Sequence, residues 1–356
     1  MPQASTLDST PIQSLSNLNF HPAGAVTGIG SVPLRSPAAA VDFVEEVSPL
    51  IPFWPKPGQG FPCSNMVEQL VQPFKSLLKT GNGAFSGYIV REGKLNALVD
   101  FLVGGEVGLM SETAGGFFAF EKALEDGRFG SALAIKGQTT GALTLAMSLH
   151  YEGKPFIEVP ELRAALSNYV ARLAIWQVER LQKWGKPVIL FVNEPYLATV
   201  KESHAEWAIG LLDTVVSAVK STNAVVGVHS CAAPPLFTVL DKVHPHLVSF
   251  DASQDLEKFL KDDGARHYVR SGGSVAFGFA PIKFSNRNLN VMPHYLRWVM
   301  SIPKEISTRK LARNALVTVT CGLSGVDLKH ARRVFELAHQ LGDRLRKLAE
   351  RELISE

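Results

Sequence analysis

Cysteine is scarce in this chain, with three thiols in 356 residues. An odd and sparse set builds no disulfide framework and fits a reducing compartment, so a cytoplasmic location is expected. Long hydrophobic runs are missing too. No uninterrupted apolar stretch reaches the roughly 20 residues that cross a bilayer. The opening MPQASTLDSTPIQSLSN lacks the basic start and apolar centre of a secretory signal. Residues 1–20 are therefore expected to be a flexible polar leader, and no membrane partner is expected. Charge of one sign is not in excess either: 36 Lys and Arg against 33 Asp and Glu leave a formal charge of +3. No basic stripe interleaved with aromatics occurs, and the cations of HARRVFELAHQLGDRLRKLAERE alternate with acids as on a solvated helix face, which argues against nucleic acid. Two phosphate-binding patterns are incomplete. GIGSVP stops short of G-x-G-x-x-G, and KGQTTGALTLA lacks the Gly-Lys-Ser/Thr ending of a P-loop.

What is present is an alternation. Short runs apolar on both faces (AVTGIG, LAIKGQTTG, VILFVNEP, VVGVHSC, LVSFDA, VAFGFAP, VTVTCG) are separated by amphipathic segments such as ELRAALSNYVARLAIWQVERLQKWG, HAEWAIGLLDTVVSAVKST and the stretch from about Asp327. Such runs are what parallel strands covered by helices require. With no fixed-length repeat and no break in composition, the pattern predicts an α/β fold: a single (β/α)8 TIM barrel over residues 21–356, with insertions in its first half. There IPFWPKPGQGFPC, dense in proline, glycine and aromatics, reads as an ordered loop near the barrel mouth, and SGYIVREGKLNALV as a hairpin or helix-flanking insertion.

Barrel chemistry sits at the C-terminal ends of the strands, and Ser31, Glu194, His229, Cys231, Asp251, Pro281 and Cys321 all fall at such ends. Zinc favours thiolate and imidazole, and a catalytic site keeps one position open. His229 and Cys231, two apart in an extended segment, can point the same way, and Cys321 would come from another strand. Asp251 is a further ligand, a partner that fixes the imidazole tautomer, or the N-cap of the helix begun by DLEKFL. Asn193 and Glu194 either bind a polar substrate or stabilise their loop. Gly30 and Ser31 could present backbone N–H groups to an anion, or form only a turn. Phe53, Trp54 and Phe61 wall the mouth or pack the core, and Cys63 reads as structural.

In order, GIGSVP, KGQTTGALTLA, VNEP, VHSC, SFDAS and TCGLSG resemble the catalytic barrel of the cobalamin-independent methionine synthases, within the superfamily that includes uroporphyrinogen decarboxylase; the resemblance runs from about Gly28 to Gly325. It implies one zinc ion per chain, held by His229, Cys231, Asp251 and Cys321, that activates a thiol as a methyl acceptor. Homocysteine is the first acceptor implied, and coenzyme M or another thiol the second. Three departures matter. Asp251 stands where the family shows Glu, Asn193 where it shows Asp for the amino group of homocysteine, and Phe279 where it shows His. The set expected to contact substrate is Gly30, Ser31, Asn193, Glu194 and Phe279, with Asn193 and Glu194 also assigned catalytic roles and Glu194 able to replace the lost carboxylate. The missing acid, together with a single barrel of sequence, points to a methylcobamide donor, offered by a corrinoid protein, over polyglutamyl methyl-folate. A porphyrinogen decarboxylase and a non-catalytic barrel that binds a ligand or a corrinoid protein are the alternatives.

Overall fold

The computed structural model describes residues 20–58, 65–81, 87–233, 242–282 and 290–350, together with Leu15 and Val239. Its centre is a parallel sheet of seven strands: β1 (Val26–Thr27), β6 (Ile135–Thr140), β9 (Val188–Asn193), β10 (Val225–His229), β11 (Leu247–Phe250), β12 (Ser274–Ala280) and β13 (Ala315–Val319). They hydrogen-bond in the order β1-β13-β12-β11-β10-β9-β6. The two ends of this row, β1 and β6, lie one strand's place apart, and the segment 51–57 fills that place. Thr27 Oγ1 donates to Ile51 O at 2.9 Å. On the other side the Lys136 N–H donates to Pro52 O at 2.8 Å and the Trp54 N–H to Lys136 O at 3.2 Å. The segment then pairs in parallel as β3 (Lys56–Pro57) with β2 (Ser31–Val32). The result is the expected (β/α)8 barrel, with an eighth position that is a broken strand. Its sequence explains the break: Pro52, Pro55 and Pro57 have no N–H to give to a ladder. IPFWPKP, expected as a loop at the mouth, is thus part of the barrel wall.

Strands buried on both faces produce two hydrophobic layers. Alternate residues point into the barrel, and Ala25, Ala134, Ile189, Val225, Leu247, Ala276 and Leu316 close its N-terminal end as one cluster. Leu15 and Phe20, from the segment expected to be a flexible leader, are buried in that cluster, with the Phe20 N–H donating to Leu15 O at 3.2 Å. The complementary residues face helices such as Pro160–Gln182, Ala205–Lys220 and Leu328–Glu350. The first-half insertions comprise the helices Met66–Val71, Leu95–Gly104 and Ser111–Glu125 and a small sheet of β4 (Leu78–Thr80), β5 (Tyr88–Val90), β7 (Leu149–Tyr151) and β8 (Lys154–Pro155). Among the described residues no helix is long and apolar enough to cross a membrane.

Candidate functional site

On several strands the inward positions turn polar toward the C-terminal mouth, as at Gln138, His229, Ser249 and Thr318. Along β10 the inward face reads Val225, Gly227, His229. Gly227 leaves room for the Phe191 ring of β9, since a β-carbon there would come within 2.2 Å of it. His229 is buried at the last position, with Nδ1 3.0 Å from Ser249 Oγ of β11. Burial, with the charge of Lys136 nearby, pushes its pKa down to about 4, so the imidazole is neutral at physiological pH. With Nδ1 engaged, Nε2 is the nitrogen left for a ligand.

Two residues on, Cys231 is exposed, and Cys321 follows β13 half-buried. The two sulfurs hydrogen-bond to each other. The Cys231 thiol donates to Cys321 and, with the Gly322 N–H, draws the Cys321 pKa down to about 6; the same partnership and burial push Cys231 up. A soft metal takes cysteine as thiolate, so an ion bound here would release the proton that the two sulfurs share. Asp251 follows β11 and caps the helix Ala252–Lys261, its Oδ1 accepting from Ser253 N at 2.9 Å and Ser253 Oγ at 2.5 Å. Burial raises its pKa, and its charge is felt by both sulfurs. Among the described residues no three His, Cys, Asp or Glu side chains converge tightly enough to hold an ion. The donor chemistry fits zinc nonetheless: two sulfurs in contact and a neutral imidazole line the same cavity.

That cavity has a volume of about 310 Å³. Gly30, Ser31, Asn193, His229, Cys231 and Cys321 line it, so six of the nine expected site residues meet there. Asn193 ends β9 pointing inward, and its Oδ1 is buried with no hydrogen-bond partner among the described residues. The other three need separate statements. Asp251 caps a helix close enough to the sulfurs for its charge to be felt and does not line the cavity. Glu194, expected to contact substrate, turns away from the cavity and is fully buried. Its Oε1 accepts from Leu143 N at 3.0 Å, and its Oε2 accepts from Thr144 N at 2.8 Å and Thr144 Oγ1 at 2.6 Å. It satisfies the orphan N–H groups that start the helix Ala142–Ser148, a structural task. Phe279 also fails to line the cavity: it lies on the outward face of β12, stacked on Phe277 with ring centroids 5.2 Å apart. Phe277 in turn meets the rings of Phe250 and Trp298, which places the pair in the layer between strands and helices.

Sequence reasoning missed three other participants. Lys136 and Gln138 are alternate inward residues of β6. Lys136 is fully buried, with Nζ donating to Ile29 O at 3.2 Å and to Gln138 Oε1 at 3.1 Å, and it lies 4.8 Å from the Phe191 ring centroid. Burial holds its pKa well below the usual lysine value. Gln138 lines the cavity and donates through Nε2 to Trp54 O at 2.8 Å. Lys136 and Gln138 at period two, on one face of a run read as a strand covered on both sides, were the available signal. Lys56, from β3, is the third and also lines the cavity. Of the aromatics, Trp54 lines the wall, while Phe53 stacks on Phe335; Phe61 and Cys63 lie outside the described residues.

No family model and no curated protein matches this chain. Solved structures do. A methyltransferase from Methanosarcina mazei superposes with a TM-score of 0.58 over 92% of this chain and 98% of its own, at 13% identity. A B12-independent methionine synthase from Shewanella sp. W3-18-1, in complex with selenomethionine, covers 66% of this chain and 68% of its own at 15% identity, with a TM-score of 0.47. A GH18 chitinase from Pseudoalteromonas aurantia gives a TM-score of 0.41 at 11% identity, covering 89% of this chain and 98% of its own. The first of these shares the barrel fold with this chain. At such identity the likeness extends to the fold alone, since one barrel hosts many chemistries.

Proposed function

We propose that this protein is a zinc-dependent methyltransferase that passes a methyl group to a thiol. The observation that carries this reading is the meeting of Cys231, Cys321 and His229 on one cavity at the C-terminal mouth of the barrel. These three side chains would hold the ion, with Asp251 beside them able to join once its cap bond to Ser253 is given up. When bound, zinc supplies a thiol substrate with a thiolate at neutral pH, well below the free thiol's pKa of roughly 8.5. The chain's own residues do the rest. Ser249 orients the imidazole through Nδ1, and Asn193 offers an amide to the substrate's polar end. Trp54 and Met66 exclude water from one side of the cavity.

The donor follows from what the walls can protonate. Displacing a folate needs an acid at the leaving nitrogen, and among the described residues no carboxyl lines the cavity. A methylcobamide would give its methyl group to the thiolate and depart as the cob(I)amide, which keeps the Co–C electron pair and needs no proton, so it asks no acid of that wall. A porphyrinogen, with its many carboxylates, would ask for several cations, whereas Lys56 alone among the described lining residues carries a fixed positive charge.

Metal analysis and methyl transfer together test the reading. About one zinc per chain is expected, with metal lost in Cys231→Ser and Cys321→Ser, and methyl transfer from methylcobalamin to a thiol tracking metal content. Full transfer by metal-free protein overturns the zinc role, and zinc without transfer to any thiol leaves a binding barrel.

A further inference from the structure

We infer that Asp255 is a positioning residue for Cys231, and that it acts by holding the backbone of the turn that carries this thiol. The placement of the thiol rests on hydrogen bonds alone; its consequence for zinc rests on the methyltransferase reading above.

Cys231 lies beyond the last residue of β10 and is exposed, so its backbone has to be fixed from either side. Before it, the Ser230 N–H donates to Ser249 O at 3.0 Å and continues the ladder between β10 and β11 by one bond. After it, the Ala233 N–H donates to Asp255 Oδ2 at 3.0 Å. Ala233 and Asp255 are both buried, so water does not stand in for this bond. One stretch of chain thereby serves both candidate ligands of β10. Ser249 Oγ meets His229 Nδ1 at 3.0 Å, and Asp255 holds the turn with Cys231.

Asp255 is itself held in place. It sits in the first turn of the helix Ala252–Lys261, where its N–H donates to Asp251 O at 3.0 Å and its Oδ1 accepts from Lys258 Nζ at 2.7 Å. Asp251, whose charge the sulfurs feel, is thus one helical turn from the tether of Cys231. An acid needed only for its charge at a helix start can stay in water. This one is buried, with one oxygen turned onto a neighbouring segment. Removing that oxygen leaves the Ala233 N–H buried without its partner. The turn is then released to carry Cys231 away from Cys321.

Two variants separate the oxygen from the charge. Asp255→Asn keeps an acceptor for the Ala233 N–H and loses the charge, whereas Asp255→Leu keeps a similar shape and loses the acceptor. The first readout uses metal-free, reduced protein and dibromobimane, a short reagent that bridges two thiols only when they are close. Peptide mass is expected to show Cys231 joined to Cys321 in the wild type and in Asp255→Asn, with a several-fold lower yield in Asp255→Leu. The second readout is competition for zinc with a chromophoric chelator. Asp255→Leu should weaken zinc about tenfold, as the loss of a residue that orients a ligand does, and Asp255→Asn far less. Bridging in Asp255→Leu equal to wild type overturns the inference. So does an equal loss in both variants while circular dichroism stays native, which would put the role in the charge at the helix start. Should Asp255→Leu not fold, hydrogen exchange at the Ala233 amide of the wild type decides: slow exchange is expected, and exchange as fast as in an unstructured peptide overturns the tether. The two readings fail separately. Bridging that depends on Asp255 in a protein that takes up no zinc removes the zinc reading alone, and zinc-dependent methyl transfer untouched by Asp255→Leu removes the positioning role alone.

Discussion

Thr144 Oγ1 donates to Glu194 Oε2 at 2.6 Å, and this bond joins the end of β9 to the first turn of the helix Ala142–Ser148. The fit is close: a β-carbon on Gly141 would lie 1.9 Å from Glu194 Oε1. Burial raises the Glu194 pKa from 4.5 to about 7 despite three donors. A carboxyl that is more basic folded than unfolded holds an extra proton in the native state between those values. Its contribution is full below about 4.5 and is lost as pH rises through about 7. The swing is on the order of 3 kcal/mol. Glu194→Gln removes it, so urea unfolding of wild type minus variant should decline across pH 4.5 to 7. The ratio of affinities for different thiols should not change, because Glu194 does not line the cavity.

Lys136 has the opposite sign. Its pKa lies well below the lysine value because it is buried among Phe53, Phe191 and Gln138. The unfolded chain therefore binds more protons between the folded value and about 10.5, and stability gained from this site rises with pH over that window. In Lys136→Met the gain is absent. Urea midpoints at pH 7, 8.5 and 10 should show the wild type improving relative to the variant, and parallel behaviour of the two proteins would show that Lys136 is not buried as described.

Gly227 makes a case for packing inside the barrel. Adding a methyl group there drives it into the Phe191 ring, 2.2 Å away, and Phe191 in turn covers Lys136. Neither strand can retreat, since β9 and β10 are paired over five residues. Gly227→Ala is expected to cost about 1–3 kcal/mol, the usual range for overpacking a core. Thermal unfolding followed by circular dichroism checks this, with a loss under about 0.5 kcal/mol counting against it.

Which parts of this molecule could be read from its sequence follows from where the physics is local. Strands buried on both faces show themselves as apolar runs, so VILFVN, VVGVH, LVSF, SVAFGFA and ALVTV became β9 to β13 as expected. Because chemistry sits at their ends, His229, Cys231, Cys321, Asn193 and Ser31 were found together. Direction was harder. The resemblance assigns Phe279 to the substrate, yet side chains alternate along a strand, and this one stacks on Phe277 in the helix layer. Glu194 reads from sequence as a substrate contact or a loop stabiliser, but its partners are Leu143 and Thr144, 51 and 50 residues away and invisible to any local pattern. The wall formed by 51–57 was hidden by its prolines, which erase a strand signature while leaving enough carbonyls to bond to β6.

Gly322 offers a way to disturb the cavity wall beside Cys321 without touching a charge or a sulfur. A methyl group there meets Ser31 Oγ at 2.1 Å and Ser31 Cβ at 3.3 Å. The hydroxyl can rotate away, so the fold tolerates the change while the donor leaves the cavity. Gly322→Ala should therefore shift the unfolding free energy by less than about 1 kcal/mol, in keeping with a side-chain rotamer change. It should nevertheless weaken a thiol that reaches the Ser31 hydroxyl by roughly twofold to tenfold, the worth of one ordinary hydrogen bond. A thiol too short to reach it should lose nothing. Equal weakening of both would mean that the turn after Cys321, rather than the Ser31 hydroxyl, had moved. No weakening of either would mean that no thiol contacts Ser31.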